Sequence, residues 1–233
     1  MNQKISIIIP VLNDAARMHT LLAELSVSQG ISQAEIIVVD GGSQDESVEI
    51  AREYDCTVLT SSPGRAKQMN LGATMATNEV VLFLHADSFP PIGFESLIVF
   101  GLTQSGKSWG RFNVKLSGQQ WLLKIVAGMM NWRSSMTGIC TGDQGLFVVK
   151  DAFNAIGGFP VIPLMEDIEI SRRLNTLSQP FIVEAALTTS SRRWEKEGII
   201  KTILLMWQLR ALYFFGVSPA KLALRYQSGR KIK

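Results

Sequence analysis

An α/β open sheet, mostly parallel and covered by helices on both faces, is the fold class this sequence predicts. Short β-branched runs alternate with longer helical patterns through the first hundred residues, the order that builds parallel crossovers. The runs IIIP and EIIVVD show no polar alternation, as strands buried on both faces do not. Three of the strands end in turn-forming or polar residues, Pro10-Val11-Leu12-Asn13-Asp14, Asp40-Gly41-Gly42-Ser43 and His85-Ala86-Asp87-Ser88, so polar groups collect along one rim.

Taken in order, residues 5–9 read as the first strand, 17–26 as a helix, 35–39 as the second strand and 45–53 as its helix. Strands follow at 57–59 and 80–84, separated by a helix over 65–75 that Pro63 and Gly64 open. Beyond Pro91 come a helix at 94–102, a strand at 109–114 and a helix at 121–130. The rest is less regular: a strand at 147–149, a short helix at 151–156 stopped by Gly157-Gly158, and a helix at 166–177 with acids in its first turn. Residues 190–195 read as loop, and 198–215 as a long apolar helix.

With 233 residues and 46% hydrophobic composition, the chain can bury one sizeable core. Cys56 and Cys140 lack CxxC spacing, and His19 and His85 cannot form a zinc site alone. These cysteines fit core positions in a reducing compartment. The opening MNQKISIIIP is too short for a secretory leader, and Lys201, Gln208 and Arg210 interrupt the richest apolar stretch. A cytoplasmic protein is expected, with the inner face of the membrane as its other candidate location. The formal charge is +3, yet Lys221, Arg225, Arg230, Lys231 and Lys233 crowd the end of the chain. The body is therefore close to neutral, and no basic groove for nucleic acid is expected.

In open α/β sheets, ligands bind beyond the carboxyl ends of the strands. Asp40 stands there, either to accept from a base or ribose or to cap its own turn. Asp87 is suited to a hard cation that neutralises a diphosphate, or to a strand-end turn. Arg65 and Lys67 at a helix start suit a phosphate or a solvated surface. In Met165-Glu166-Asp167-Ile168-Glu169, residues 166 and 169 share a helical face while Asp167 points elsewhere, free to act as a general base. Arg193 and Trp194 suit a diphosphate and a sugar face, or an ordinary basic loop.

Read in order, IPVLND, EIIVVDGGSQDES, GRAKQMNLG, VLFLHADS and MEDIEISRRL resemble family 2 inverting glycosyltransferases of the GT-A fold, over roughly residues 5–195. GDQGLFV and GGFPVIPLMEDIEISRRL look similar to a small bacterial branch associated with arsenosugar biosynthesis and radical-SAM proteins. The resemblance implies a nucleotide-sugar donor, usually UDP-linked, with Pro10, Val11 and Asn13 lining the base pocket, Asp40 bonding the uracil or ribose, and Arg65 flanking the nucleotide. The family's DxD motif falls on His85-Ala86-Asp87, which makes Asp87 the expected ligand of a divalent cation, Mn or Mg. His85 departs from that pattern and puts the usual ribose contact in doubt. Asp167 is the implied general base, Arg193 a diphosphate contact, and Asp143 and Trp194 acceptor-side residues. Only Arg193-Trp194 corresponds to a QxxRW motif, so processive polymer synthesis is not supported.

The first strand lacks the G-x-G-x-x-G of dinucleotide oxidoreductases, and His85 removes the first acid of a haloacid-dehalogenase-type nucleophile motif. No glycine-rich, lysine-bearing loop of a sugar-nucleotide pyrophosphorylase follows strand one. The competing reading is a non-catalytic nucleotide-sugar-binding or scaffolding protein. Residues 1–195 are expected to form the catalytic domain. Residues 196–233, an apolar helix and basic tail, are expected to pack on that domain, on a second copy of the chain, or on a membrane surface. The acceptor, whether small molecule, lipid or glycan, has no code in the sequence.

Overall fold

The computed structural model describes residues 4–28 and 34–231. Strand β1 (Ile5–Val11) leads through α1 (Ala15–Ser28) to β2 (Glu35–Asp40), and α2 (Ser47–Glu53) carries the chain to β3 (Thr57–Thr60). These strands run parallel, with Val11 level with Asp40 and Asp40 level with Thr60. Helix α3 (Arg65–Met75) crosses back to β4 (Val80–Phe83), which pairs with the other edge of β1. The strand order reverses between β1 and β4, the place where open sheets leave a crevice beyond their carboxyl ends.

Both faces of β1 are covered, which is why its sequence does not alternate. Ile5, Ile7, Ile9 and Val11 join Met18, Leu21, Leu22 and Leu25 of α1 in one core. Ile8 joins Ala66, Met69 and Ala73 of α3 in a second. Each fully buried aliphatic side chain contributes about 1.5–3 kcal/mol. Gly72 sets the spacing of α3, since a Cβ there would stand 2.5 Å from Ile8 Cγ2.

The second half adds β5 (Ser88–Phe89), α4 (Phe94–Ser105), β6 (Trp109–Leu116), α5 (Trp121–Thr137), a 3-10 turn (Gly142–Gln144), β7 (Leu146–Val149) and α6 (Lys150–Ala155). Next come α7 (Glu166–Asn175), β8 (Phe181–Thr189), α8 (Arg192–Glu197), α9 (Ile199–Phe214) and α10 (Pro219–Lys231). The sheet order is β3-β2-β1-β4-β7-β6-β8-β5. β7 runs antiparallel to β4 and β6, β5 antiparallel to β8, and β6 parallel to β8. The sheet is thus parallel in its first half and mixed in its second.

Four departures from the sequence expectation have physical causes. Strand β8 was not anticipated, because a register shift between Phe112 and Asn113 of its partner breaks the two-residue rhythm. Residues 190–195 were expected as loop, but Arg192–Glu197 form α8, where an Arg193–Glu197 pair one turn apart lies 3.5 Å across. Helix α10 was missed because it is largely polar. Helix α5 runs past its expected end at residue 130 to Thr137, so Arg133 sits on a helix.

Helices α9 and α10 pack on the rest of the chain. Ile199 joins Val114, Leu116 and Leu123, and Leu209 and Leu222 join Met165 and Ile168. Ile200, Leu204, Trp207, Phe214 and Phe215 stay exposed. The side chains of Arg230 and Lys231, and all of Lys233, lie outside the described residues. Among those residues no helix is long and apolar enough to cross a membrane. Cys56 and Cys140 are free, and burial pushes both thiols up to about 12.

Candidate functional site

The rim beyond β1 and β2 is built by side chains that tie loop to loop. The buried Asp40 accepts from the backbone N–H of Gly42 at 2.9 Å and of Ser43 at 3.0 Å, an Asx turn that holds the Gly-Gly-Ser segment. Asn13, in the left-handed region at φ 52°, accepts from Gln44 N–H at 2.8 Å, while its own N–H donates to Ser43 Oγ at 2.8 Å. Gln68 of α3, which sequence reasoning passed over, donates its buried amide to the carbonyls of Val11 and Val39, each at 2.8 Å. Asn70, one turn of α3 from Ala66, both donates to Phe159 O and accepts from Phe159 N–H, anchoring the loop that leads to α7. Neither Asn13 nor Asp40 lines the cavity described next.

That cavity, of about 420 Å³, lies beyond β1 and β4 at the reversal of strand order. Pro10, Val11, Arg65, His85, Ala86, Asp87 and Asp143 line it, so seven of the residues expected at the site meet there. Two that were not expected join them in framing it: Asp14, and Arg17, whose guanidinium is 2.6 Å from Asp14 and 3.8 Å from Asp87. Burial pushes the Asp87 carboxyl up, and the Asp143 and Asp14 carboxylates add to this against the pull of His85 and Arg17. Asp143 behaves oppositely. Desolvation works against its charge, but His85, Arg65 and Arg193 outweigh it and hold the carboxyl below the usual range.

His85 Nδ1 lies 3.6 Å from Asp143 Oδ1. The 3-10 turn brings Asp143 to this place, and Gly142 is required there because a Cβ would stand 2.3 Å from His85 Cε1. Among the described residues, no three His, Cys, Asp or Glu side chains converge closely enough to hold a metal ion by themselves. Asp87 nonetheless fits a hard cation that takes further oxygens from a ligand, because burial and the nearby Asp143 and Asp14 carboxylates disfavour its bare charge.

The acids that open α7 divide their roles. Met165, the residue before the helix, has φ 72°, a strained conformation costing about 1–3 kcal/mol for a residue with a side chain. Its side chain is buried against Ile168, Leu209 and Leu222. Glu166 turns inward, 3.5 Å from Arg65, and is buried. Glu169, expected on the same helical face and likewise in the first turn, pairs with Arg172 and Arg173 outside. Asp167 accepts from Gly142 N–H at 3.3 Å and from Ile168 N–H at 2.8 Å. With His85, Thr141 and Arg65 it lines a small gap of about 20 Å³.

A second cavity, of about 260 Å³, is walled by α5, α8 and α9. Arg193 and Trp194 line it as expected residues, and Asp143 lines both this cavity and the first. Arg133 and Arg210 also line it. Their signal in the sequence was a second cation, after Lys124 and Lys201, on each of two apolar helices, legible only once those helices were known to face inward. Burial, with Arg210 beside it, lowers the Arg133 guanidinium to about 10, and Asp167 partly offsets this.

A half-parallel sheet with its crevice at the β1–β4 reversal, and acids from β4, the 3-10 turn and α7 around it, has the architecture of a GT-A glycosyltransferase. The comparisons agree. The chain superposes on S. aureus TarS 1–349 in complex with UDP-GlcNAc with a TM-score of 0.65 at 18% identity, over 80% of this chain and 58% of that one. It superposes on the mannosyltransferase PcManGT from Pyrobaculum calidifontis, in complex with GDP-Man and Mn2+, with a TM-score of 0.65 at 15% identity, over 98% and 70%. At these identities the likeness concerns the fold. Residues 6–108 match Glycosyl transferase family 2 and carry a domain of that family. In sequence, the chain is 34% identical over 93 residues to the 4,4'-diaponeurosporenoate glycosyltransferase of Staphylococcus haemolyticus, covering 36% of this chain and 24% of that protein. The chain spans between about a quarter and a third of such curated relatives.

Proposed function

We propose that the chain is an inverting glycosyltransferase that moves a sugar from a nucleotide donor, UDP-linked, onto an acceptor hydroxyl. The observation that carries this reading is a pair of cavities that share Asp143 as a common wall, with Asp167 on a small gap whose lining includes His85 of the first and Thr141 of the second. A polar cavity at the strand ends takes the nucleotide diphosphate, an apolar one takes the acceptor, and a carboxylate stands where the two ligands would meet.

In this reading Pro10, Val11 and Arg65 flank the nucleotide with His85, Ala86 and Asp87. Asn13 shapes the loop, and Asp40 offers the nucleoside the lone pairs that Gly42 and Ser43 leave free. Asp87, with Asp143 nearby, would hold a divalent cation, Mn or Mg, which supplies charge neutralisation for the diphosphate. Asp167 takes the proton of the acceptor hydroxyl as that oxygen bonds to the anomeric carbon. The bond from that carbon to the diphosphate oxygen breaks on the opposite face, so one displacement inverts the configuration. Arg65 and Arg193 steady the charge that develops on the leaving group, while Trp194 covers the sugar face.

The exposed apolar side chains of α9 beside basic α10 support peripheral contact with an anionic membrane on the cytoplasmic side, and a homodimer through the same face is the competing outcome. Flotation with anionic liposomes separates the two, because a dimer stays with the protein fraction.

The enzyme reading is tested by turnover of a nucleotide-sugar panel with Mn2+ against pooled acceptors. Asp167→Asn is expected to lose about a hundredfold or more in turnover, the scale of a general base, while still binding UDP with Mn2+. A variant as active as the wild type removes Asp167 from the mechanism. UDP binding without turnover of any sugar favours a binding protein.

A further inference from the structure

The acceptor-side cavity combines two chemistries that rarely share a wall. Met129, Met130, Met206 and Trp207 make much of it apolar, yet Arg133, Arg193 and Arg210 all line it. Nε and Nη2 of Arg133 and Nη2 of Arg193 are buried without a hydrogen-bond partner. Buried donors are nearly always paired, so unpaired ones on residues that line a cavity mark where a ligand's acceptors belong. Arg193 is only partly engaged, by Glu197 at 3.5 Å and by the Tyr226 ring at 4.7 Å. Besides Glu197 at Arg193, the carboxylates facing the cations are Asp143 and Asp167. Asp143 is already engaged by His85, and Asp167 by two backbone N–H groups.

We infer that the acceptor is an amphipathic anion, a molecule whose apolar chain lies on the methionine and tryptophan wall and whose phosphate or carboxylate group pairs with Arg133, Arg210 and Arg193 close to the hydroxyl that receives the sugar. This rests on the reading of the cavity as the acceptor side. A neutral sugar would leave the guanidiniums unpaired, and a small hydrophilic anion would leave the apolar wall against water. A purely apolar acceptor would bury the cations further without compensation. The bidentate geometry of guanidinium suits phosphate and carboxylate alike.

Trp132, Trp194 and Trp207 line the cavity and report its occupancy by fluorescence. The full chain is titrated with n-decyl phosphate below its micelle concentration, with n-decyl glucoside as the neutral probe, and with inorganic phosphate. The expected result is that decyl phosphate binds about tenfold or more tightly than the neutral probe, through charge-assisted bonds. Inorganic phosphate alone should not saturate, and UDP with Mn2+ should not displace decyl phosphate. Arg133→Gln and Arg210→Gln should each weaken decyl phosphate by about tenfold and spare decyl glucoside. Equal affinity for the charged and neutral probes overturns the inference. So does displacement by UDP or saturation by inorganic phosphate, since either assigns the arginines to the donor's diphosphate. The probe comparison on the unaltered chain decides the matter if either variant misfolds. UDP binding with Mn2+, measured by calorimetry on the same samples, keeps the two readings apart: its loss overturns the donor site, whereas UDP binding without decyl phosphate binding overturns only the acceptor class.

Discussion

Replacing Gln68 by leucine tests whether the nucleotide-side rim is held from beneath. The amide of Gln68 bridges the carbonyls of Val11 and Val39 at 2.8 Å each, across the ends of β1 and β2. Leucine has similar bulk and no donor, so the change removes two buried hydrogen bonds and little packing. The Val11 carbonyl keeps the Gly41 N–H at 2.9 Å, which limits the penalty for lost partners. Two bonds at about 1 kcal/mol each, with a further contribution from the less satisfied Val39 carbonyl, put the loss at about 2–3 kcal/mol. For a chain of this size that is a fall in Tm of about 4–12 °C, followed by circular dichroism. Gln68→Glu should be worse above neutral pH, since a carboxylate would face two carbonyl oxygens. Because Pro10 and Val11 line the cavity, UDP affinity should fall as well. A leucine variant within about 1 °C of wild type, with unchanged UDP binding, would refute the claim that this amide holds the strand ends.

Three further outcomes are expected. Gly142→Ala places a Cβ 2.3 Å from His85 Cε1, so His85 must move away from Asp143; overpacking of this kind costs about 1–3 kcal/mol, and metal-dependent UDP binding should weaken in a thermal-shift assay. His85→Asp adds a carboxylate beside Asp87 and Asp143 and should preserve or strengthen dependence on Mn2+; loss of all metal response would place the metal site elsewhere. Burial and the neighbouring Asp167 carboxylate raise the Glu166 carboxyl above 4.5, with Arg65 opposing them. A group raised on folding lends stability that is complete below its unfolded value and fades as pH rises through its folded one. Wild type should therefore gain in Tm relative to Glu166→Gln as pH falls from neutral toward 4.5, and a constant gap contradicts this.

The strands and the rim they deliver were legible in the sequence because each rests on local chemistry. Apolar runs without alternation require two covered faces, and Asp40-Gly41-Gly42-Ser43 is a turn by composition alone. Helix α3 was read to its observed bounds, residues 65–75, because Pro63 and Gly64 start it. What stayed hidden depends on partners remote in sequence. Glu166 and Glu169 are three residues apart on one helix, yet Arg65 covers the first while Arg172 and Arg173 meet the second; helical periodicity gives the spacing and not the neighbour. Gln68 looked like an ordinary helix residue because its partners are backbone carbonyls, which carry no sequence signal. Arg133 and Arg210 were hidden because the elements around them take their places only after long-range pairing.

The His85-Ala86-Asp87 segment makes sense once charge is counted in space and not along the chain. With histidine at position 85, the end of β4 supplies one carboxylate, Asp87, and the 3-10 turn before β7 brings a second, Asp143, to within 3.6 Å of the imidazole. β4 and β7 are antiparallel neighbours, with Phe83 level with Leu146, so the segment leaving β4 and the segment entering β7 must emerge at the same edge of the sheet. Sheet topology therefore places the second acid where the strand end lacks one. Gly142 lets the imidazole pack against the turn, and Gly142 N–H reaches Asp167 on α7. One three-residue turn thus touches both His85 and the proposed base, and its Asp143 walls both cavities. If donor and acceptor chemistry are coupled in this protein, the GDQG segment is the element through which the coupling must pass.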